Sequence, residues 1–109
     1  MIISFEQLRA ILKSTGVNVY RDKASSNAEY PYIVYEFVSE PQRRASSKVF
    51  ASMPLYQIAY ITNGVESELA SLKQALNDNK VNYDTFSATP YDENDDTITQ
   101  YVTYVRCIE

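Results

Sequence analysis

The residues able to do chemistry fall into a few small groups. Asp92-Glu93-Asn94-Asp95-Asp96 offers oxygen ligands to a hard cation. Asp92, Asn94 and Asp96 have the spacing of the first three ligands of an EF-hand loop. However, Thr97 stands where that loop needs Gly for its sharp turn, and Thr103 where it needs a bidentate Glu. The flanks read as strands, so a solvated hairpin turn is the expectation. Arg43, Arg44 and Lys48 form a basic cluster that could touch phosphate or an acidic partner chain, or simply solubilise an exposed hairpin tip. Cys107 is the single cysteine, and its strand-like context predicts a buried thiol without the basic neighbour that activates a nucleophile. Glu66 and Glu68 open a helix, where carboxylates suit the positive end of the dipole, and no second acid is placed to converge with them in a cleft. With no His in the chain, His-based acid–base catalysis, His-containing triads and His-ligated metals are excluded. The sequence therefore predicts no enzyme, no cofactor and no metal.

Composition narrows the class further. A chain of 109 residues with 45% hydrophobic and 22% charged residues suits one domain, residues 1–109, able to bury a core unaided by metals or disulfides. The net charge of −4 disfavours general nucleic-acid binding. Ten Tyr suit sheets, where the ring packs and the hydroxyl reaches water, and two Gly leave little material for phosphate-binding loops. No apolar run is long enough for a bilayer span, and the start lacks a signal peptide's pattern, so an intracellular protein without membrane contact is expected.

The element that organises the chain is Leu55 to Leu76. Tyr56, Ile58 and Tyr60 alternate with Leu55, Gln57, Ala59 and Ile61, as in a strand. Val65, Leu69, Leu72 and Leu76 then form one helical stripe, with Asn63-Gly64 turning the chain between them. Upstream, Ser4 and Gln7 have capping-box spacing for a helix over Met1–Lys13, with Ile2 or Ile3 as a staple and Thr15-Gly16 as its end. Val17–Tyr20 reads as a short strand, Arg21–Glu29 as a polar and mobile loop, and Tyr30–Ser39 as a strong strand starting at Pro31. Tyr32, Val34, Glu36 and Val38 share its second face, which is bulky enough to need a cover, such as another subunit. Glu40–Lys48 reads as a polar connection and Val49–Thr62 as a long strand broken at Pro54. A weaker strand around Phe86 lies within Val81–Tyr91, Asp92–Asp96 turns, and Thr97–Ile108 closes the chain as a strand. The sum is an α+β fold: a single mostly antiparallel sheet of about five strands with two helices on one face.

Tyr30-Pro-Tyr-Ile-Val-Tyr, Leu55-Tyr-Gln-Ile-Ala-Tyr-Ile-Thr, the Val65–Leu76 helix and the closing Gln100-Tyr-Val-Thr-Tyr carry a family likeness. Together they resemble the tail terminator (tail completion, head–tail joining) proteins of long-tailed bacteriophages, in which a Pro-Tyr strand, a Tyr-Gln-Ile strand and an amphipathic helix recur in this order. The likeness runs from Tyr30 to the C-terminus. Ala59 departs from it, since the family often has a polar or acidic residue there. The resemblance implies a non-enzymatic α+β subunit that forms a homo-oligomeric ring, usually a hexamer. That ring caps the tail tube and meets the head-closure or connector protein, in the host cytoplasm during assembly and then in the virion. Arg43, Arg44, Lys48, Tyr32, Val34 and Val38 are the candidate protein contacts. The other reading is a small regulatory or adaptor α+β domain acting as monomer or dimer.

Overall fold

The computed structural model of the chain describes the backbone of residues 3–39, 42–45, 48–92 and 95–107, and the side chains of 3–39, 53–89 and 98–107. Helix α1 (Phe5–Ser14) begins at the predicted capping box: the Gln7 N–H donates to Ser4 Oγ at 3.2 Å, and the Ser4 N–H donates to Gln7 Oε1 at 2.9 Å. Of the two candidate staples, Ile3 is buried in the same cluster as Leu8, whereas Ile2 lies outside the described residues. Gly16, at φ +82°, takes the left-handed conformation that ends the helix. Leu8, Ile11 and Leu12 are the buried stripe.

The second helix differs from expectation at its start. A 3-10 turn (Glu66–Leu69) precedes α2 (Ala70–Asp78), and Val65 is the extended residue before that turn. Leu69, Leu72 and Leu76 are buried as the stripe predicts, but Val65 is 61% exposed. The tighter winding of a 3-10 turn breaks the helical period that would have placed Val65 over the sheet.

Five strands form the main sheet: β1 (Asn18–Arg21), β2 (Tyr32–Ser39), β5 (Leu55–Thr62), β6 (Ser87–Asp92) and β7 (Asp95–Arg106), in the order β1-β2-β5-β7-β6. The β1–β2 pair is parallel and the other three are antiparallel, so the fold is α+β on a mixed, mostly antiparallel sheet. The strand expected around Phe86 starts one residue later, and Phe86 packs half-buried against Tyr83 at 5.5 Å. At the other end of that strand Asp92 pairs with Asp95, so the acidic run closes a hairpin; residues 93 and 94, like Ile108, lie outside the described residues.

The expected polar connection Glu40–Lys48 contains a strand. β3 (Gln42–Ala45) pairs antiparallel with β4 (Lys48–Ser52) in a separate two-stranded sheet. The difference has a cause in the residues: Gln42-Arg-Arg-Ala45 shows no alternation of apolar and polar side chains from which a strand could be read. The break expected at Pro54 is present, and it separates β4 from β5 into different sheets.

Both helices lie on one face of the main sheet. Ile33, Ile58 and Val105 are buried there against Leu12, Leu72 and Leu76. Phe5 reaches over from α1 and stacks on Tyr56 with ring centroids 4.8 Å apart. Two buried hydroxyls in this region are satisfied. Thr103 donates to the Asp84 carbonyl at 2.7 Å, and Thr62 donates to Glu68 Oε2 at 2.5 Å.

Candidate functional site

The second face of the sheet is where the predicted contact residues meet. Asp22 ends β1 at φ +65°, a left-handed conformation Asp tolerates, and its N–H is held by the Tyr35 carbonyl at 2.8 Å. This turn sends the next residues across the sheet. Ala24 and Ala28 pack on Tyr32, Ala59, Ile61 and Ile98, so the segment expected to be a mobile loop covers one end of the face.

Tyr32 is accordingly 5% exposed, buried by its own chain, with its ring stacked on Tyr30 at 5.4 Å. Val34 is half-buried at the margin of the cover. Val38, at the far end of β2, is 45% exposed, and Tyr104 on the same face is 37% exposed. Between the covered and bare ends lies an open groove of about 290 Å³, lined by Asp22, Lys23, Val34, Glu36, Gln57 and Gln100 among others. A polar row crosses it. The Gln57 amide donates to Glu36 Oε1 at 3.0 Å, and the Tyr104 hydroxyl donates to Gln57 Oε1 at 3.4 Å. The sequence places Glu36 on one strand face with Tyr32, Val34 and Val38, and Gln57 on another with Leu55, Ala59 and Ile61, but does not pair them. Their juxtaposition depends on the register Glu36↔Gln57↔Tyr104, which the chain does not display.

The basic residues sit apart from this face. Arg43 and Arg44 lie in β3, opposite Ala51 and Val49, with a register shift between them, and Lys48 begins β4 opposite Ala45. β2 and β5 are paired out to Ser39 and Leu55, so β3 and β4 prolong that hairpin past the sheet as an arm. The four residues of β3 alone span about 13 Å at ~3.3 Å per residue. β3 and β4 contact chiefly each other. The molecule measures 52 × 29 × 24 Å with a radius of gyration of 15.0 Å, above the about 13 Å of a compact chain of this length.

The root of the arm is firmly held. Arg106 Nη1 donates to the Met53 carbonyl at 2.8 Å, and the Cys107 N–H donates to the Pro54 carbonyl at 2.8 Å. Cys107 itself is fully buried, and burial pushes its thiol up to about 11. That is the opposite of an activated nucleophile. Burial, with the Glu68 carboxylate nearby, also raises the Tyr60 hydroxyl. The 3-10 turn carries Glu66 and Glu68, and Glu68 is committed to the Thr62 hydroxyl. The geometry offers a sheet face with an open groove lined by Asp22, Lys23 and Glu36, and apart from it an arm that carries Arg43, Arg44 and Lys48.

A chain from the virion of a native gene transfer agent (GTA) particle has a similar structure, with a TM-score of 0.60. The two are 14% identical, and the match covers 96% of this chain and 91% of that one, so what is shared is the fold. No protein-family model and no curated protein matches the sequence. Among the described residues, no helix is long and apolar enough to cross a membrane.

Proposed function

We propose that this chain is a non-enzymatic structural subunit of a phage-like particle, forming a ring that caps the tail tube and joins it to the head connector. The observation that carries the reading is the fold likeness to a virion chain, which spans nearly the whole of both molecules. The strand and helix motifs of the tail terminator family, in the same order along this chain, point the same way. A bare sheet face and a projecting arm on one small subunit also suit assembly better than solitary action. Six copies and contacts with a tail tube protein and a head-closure protein follow from the family resemblance. Assembly would take place in the host cytoplasm and the ring would remain in the particle.

The test is loss and complementation. Particles made without this chain should accumulate as free heads with overlong or unjoined tails, and supplying the protein should restore joined particles. Joined particles at normal yield in its absence would overturn the reading and favour a regulatory or adaptor domain. Electron microscopy of purified tail tubes with added protein gives a second readout, a cap at one tube end.

A further inference from the structure

We infer that the β3–β4 arm of one copy docks on the open sheet face of a second copy, with Arg43, Arg44 and Lys48 set against Glu36 and Asp22. This inference rests on the ring reading above and names the contact that builds the ring.

An isolated two-stranded ribbon is marginally stable in water and needs a surface to pack on. Among the described residues, β3 and β4 contact chiefly each other rather than the body. The arm, residues 42–52, contains Val49, Phe50 and Ala51 beside three cations and no acid. With the whole chain at −4 and the arm contributing three positive charges, the remaining residues carry −7. Every copy therefore bears both a basic arm and an acidic body.

The open face matches the arm in character as well as in sign. Glu36 and Asp22 line the groove with one cation, Lys23, so acids outnumber cations there by two to one, and Val38 and Tyr104 stand exposed beside it. Glu36 accepts from Gln57, which fixes its position in the middle of the sheet and leaves its other oxygen available to a guanidinium. Arm and face are different surfaces of one chain, so the contact is head-to-tail. Contacts of that kind propagate around a ring rather than stopping at a two-fold dimer.

The experiment uses two full-length variants: arm-reversed, Arg43→Glu with Arg44→Glu, and face-reversed, Glu36→Arg with Asp22→Lys. Self-association is followed by sedimentation velocity, with circular dichroism confirming that each variant is folded. The expected result is that each variant alone needs at least ~tenfold more protein to assemble than the natural chain. An equimolar mixture should recover assembly with the two variants alternating, because the intact arm fits the intact face and the reversed arm fits the reversed face. Uniting all four substitutions in one chain should recover assembly. Should the face-reversed variant unfold, Glu36→Gln alone, read for weakened assembly, takes its place.

Assembly of the arm-reversed variant like the natural chain would overturn the inference, as would a natural chain that stays monomeric at every concentration. If that variant also failed to cap tail tubes while still assembling, the arm would be assigned to the tube protein. The ring reading would survive in that case, since it falls only on the complementation test.

Discussion

Thr62 is fully buried at the end of β5, yet it is the residue that turns the chain into the second helix. Its hydroxyl donates to Glu68 at 2.5 Å and accepts from the Gly64 N–H at 2.9 Å. Thr62→Val should remove both bonds and cost about 1–3 kcal/mol in urea unfolding, because the half-buried Gly64 N–H and the Glu68 carboxylate both lose their partner. Thr62→Ser should recover most of that loss, and equal losses in the two variants would show the methyl group, not the hydroxyl, to be what matters. A Cβ at Gly64 would run into the Glu68 carboxylate, so Gly64→Ala acts on the same bond from the other side. On the helix face, Leu72→Ala should cost about 2–5 kcal/mol, since Leu72 is fully buried against the sheet. A loss under ~0.5 kcal/mol would place that face in solvent. Cys107 gives a pH dependence of known sign. Its folded value of about 11 lies above the ordinary 9.0, so the native state keeps the proton that the unfolded chain releases. Its contribution is fully present below about 9 and is lost as pH rises towards about 11. The measurement is the difference in unfolding midpoint between the natural chain and Cys107→Ala across that window. A difference that stays constant with pH would contradict the buried protonated thiol.

At the scale of elements, the held root of the arm makes a separable prediction. Arg106→Ala removes the bond to the Met53 carbonyl, so amides of residues 42–52 should exchange at least ~tenfold faster while those of β5 and β7 keep their protection. Equal change in both would mean that Arg106 supports the whole sheet. Which elements were legible in the sequence follows from how one-sided their surroundings are. Tyr56, Ile58 and Tyr60 alternate because one side of β5 meets two helices, and Leu69, Leu72 and Leu76 repeat because one side of α2 meets the sheet. Ser4 and Gln7 were readable because a capping box is local chemistry. β3 was not readable, because Gln42 to Ala45 shows no apolar–polar alternation. Nor was the parallel pairing of β1 with β2, which depends on where α1 places Asn18 rather than on anything within the four residues. The candidate site was half legible. Val38 is exposed on the predicted face, Tyr32 is covered by the segment after Asp22, and the Glu36–Gln57–Tyr104 row needed the register.

For the whole molecule, shape and assembly are linked through the arm. Replacing residues 40–54 by an Asn-Gly turn joins Ser39 to Leu55, which already face each other across the β2–β5 ladder. Small-angle scattering should then show the radius of gyration falling from 15.0 Å towards about 13 Å. The far-ultraviolet dichroism of the body should persist, because the arm packs on little of it. Loss of the folded signal would show that the body depends on the arm. The full chain should also show a salt dependence of association, since contact between opposite charges at an exposed face weakens as the screening length shortens.

The clamp at Met53 and Pro54 divides the molecule into a part whose dimensions are fixed by packing and a part whose dimensions are not. Chain inserted at the tip between Ala45 and Lys48 would add reach without entering the core. Its entropic cost grows only with the logarithm of length, roughly 0.6 kcal/mol per doubling. If the arm makes the proposed contact between copies, the span from one copy to the next is set by a length free to vary. In the proposed ring, insertion or deletion at that one place would change the bore and leave the sheet and helices as they are.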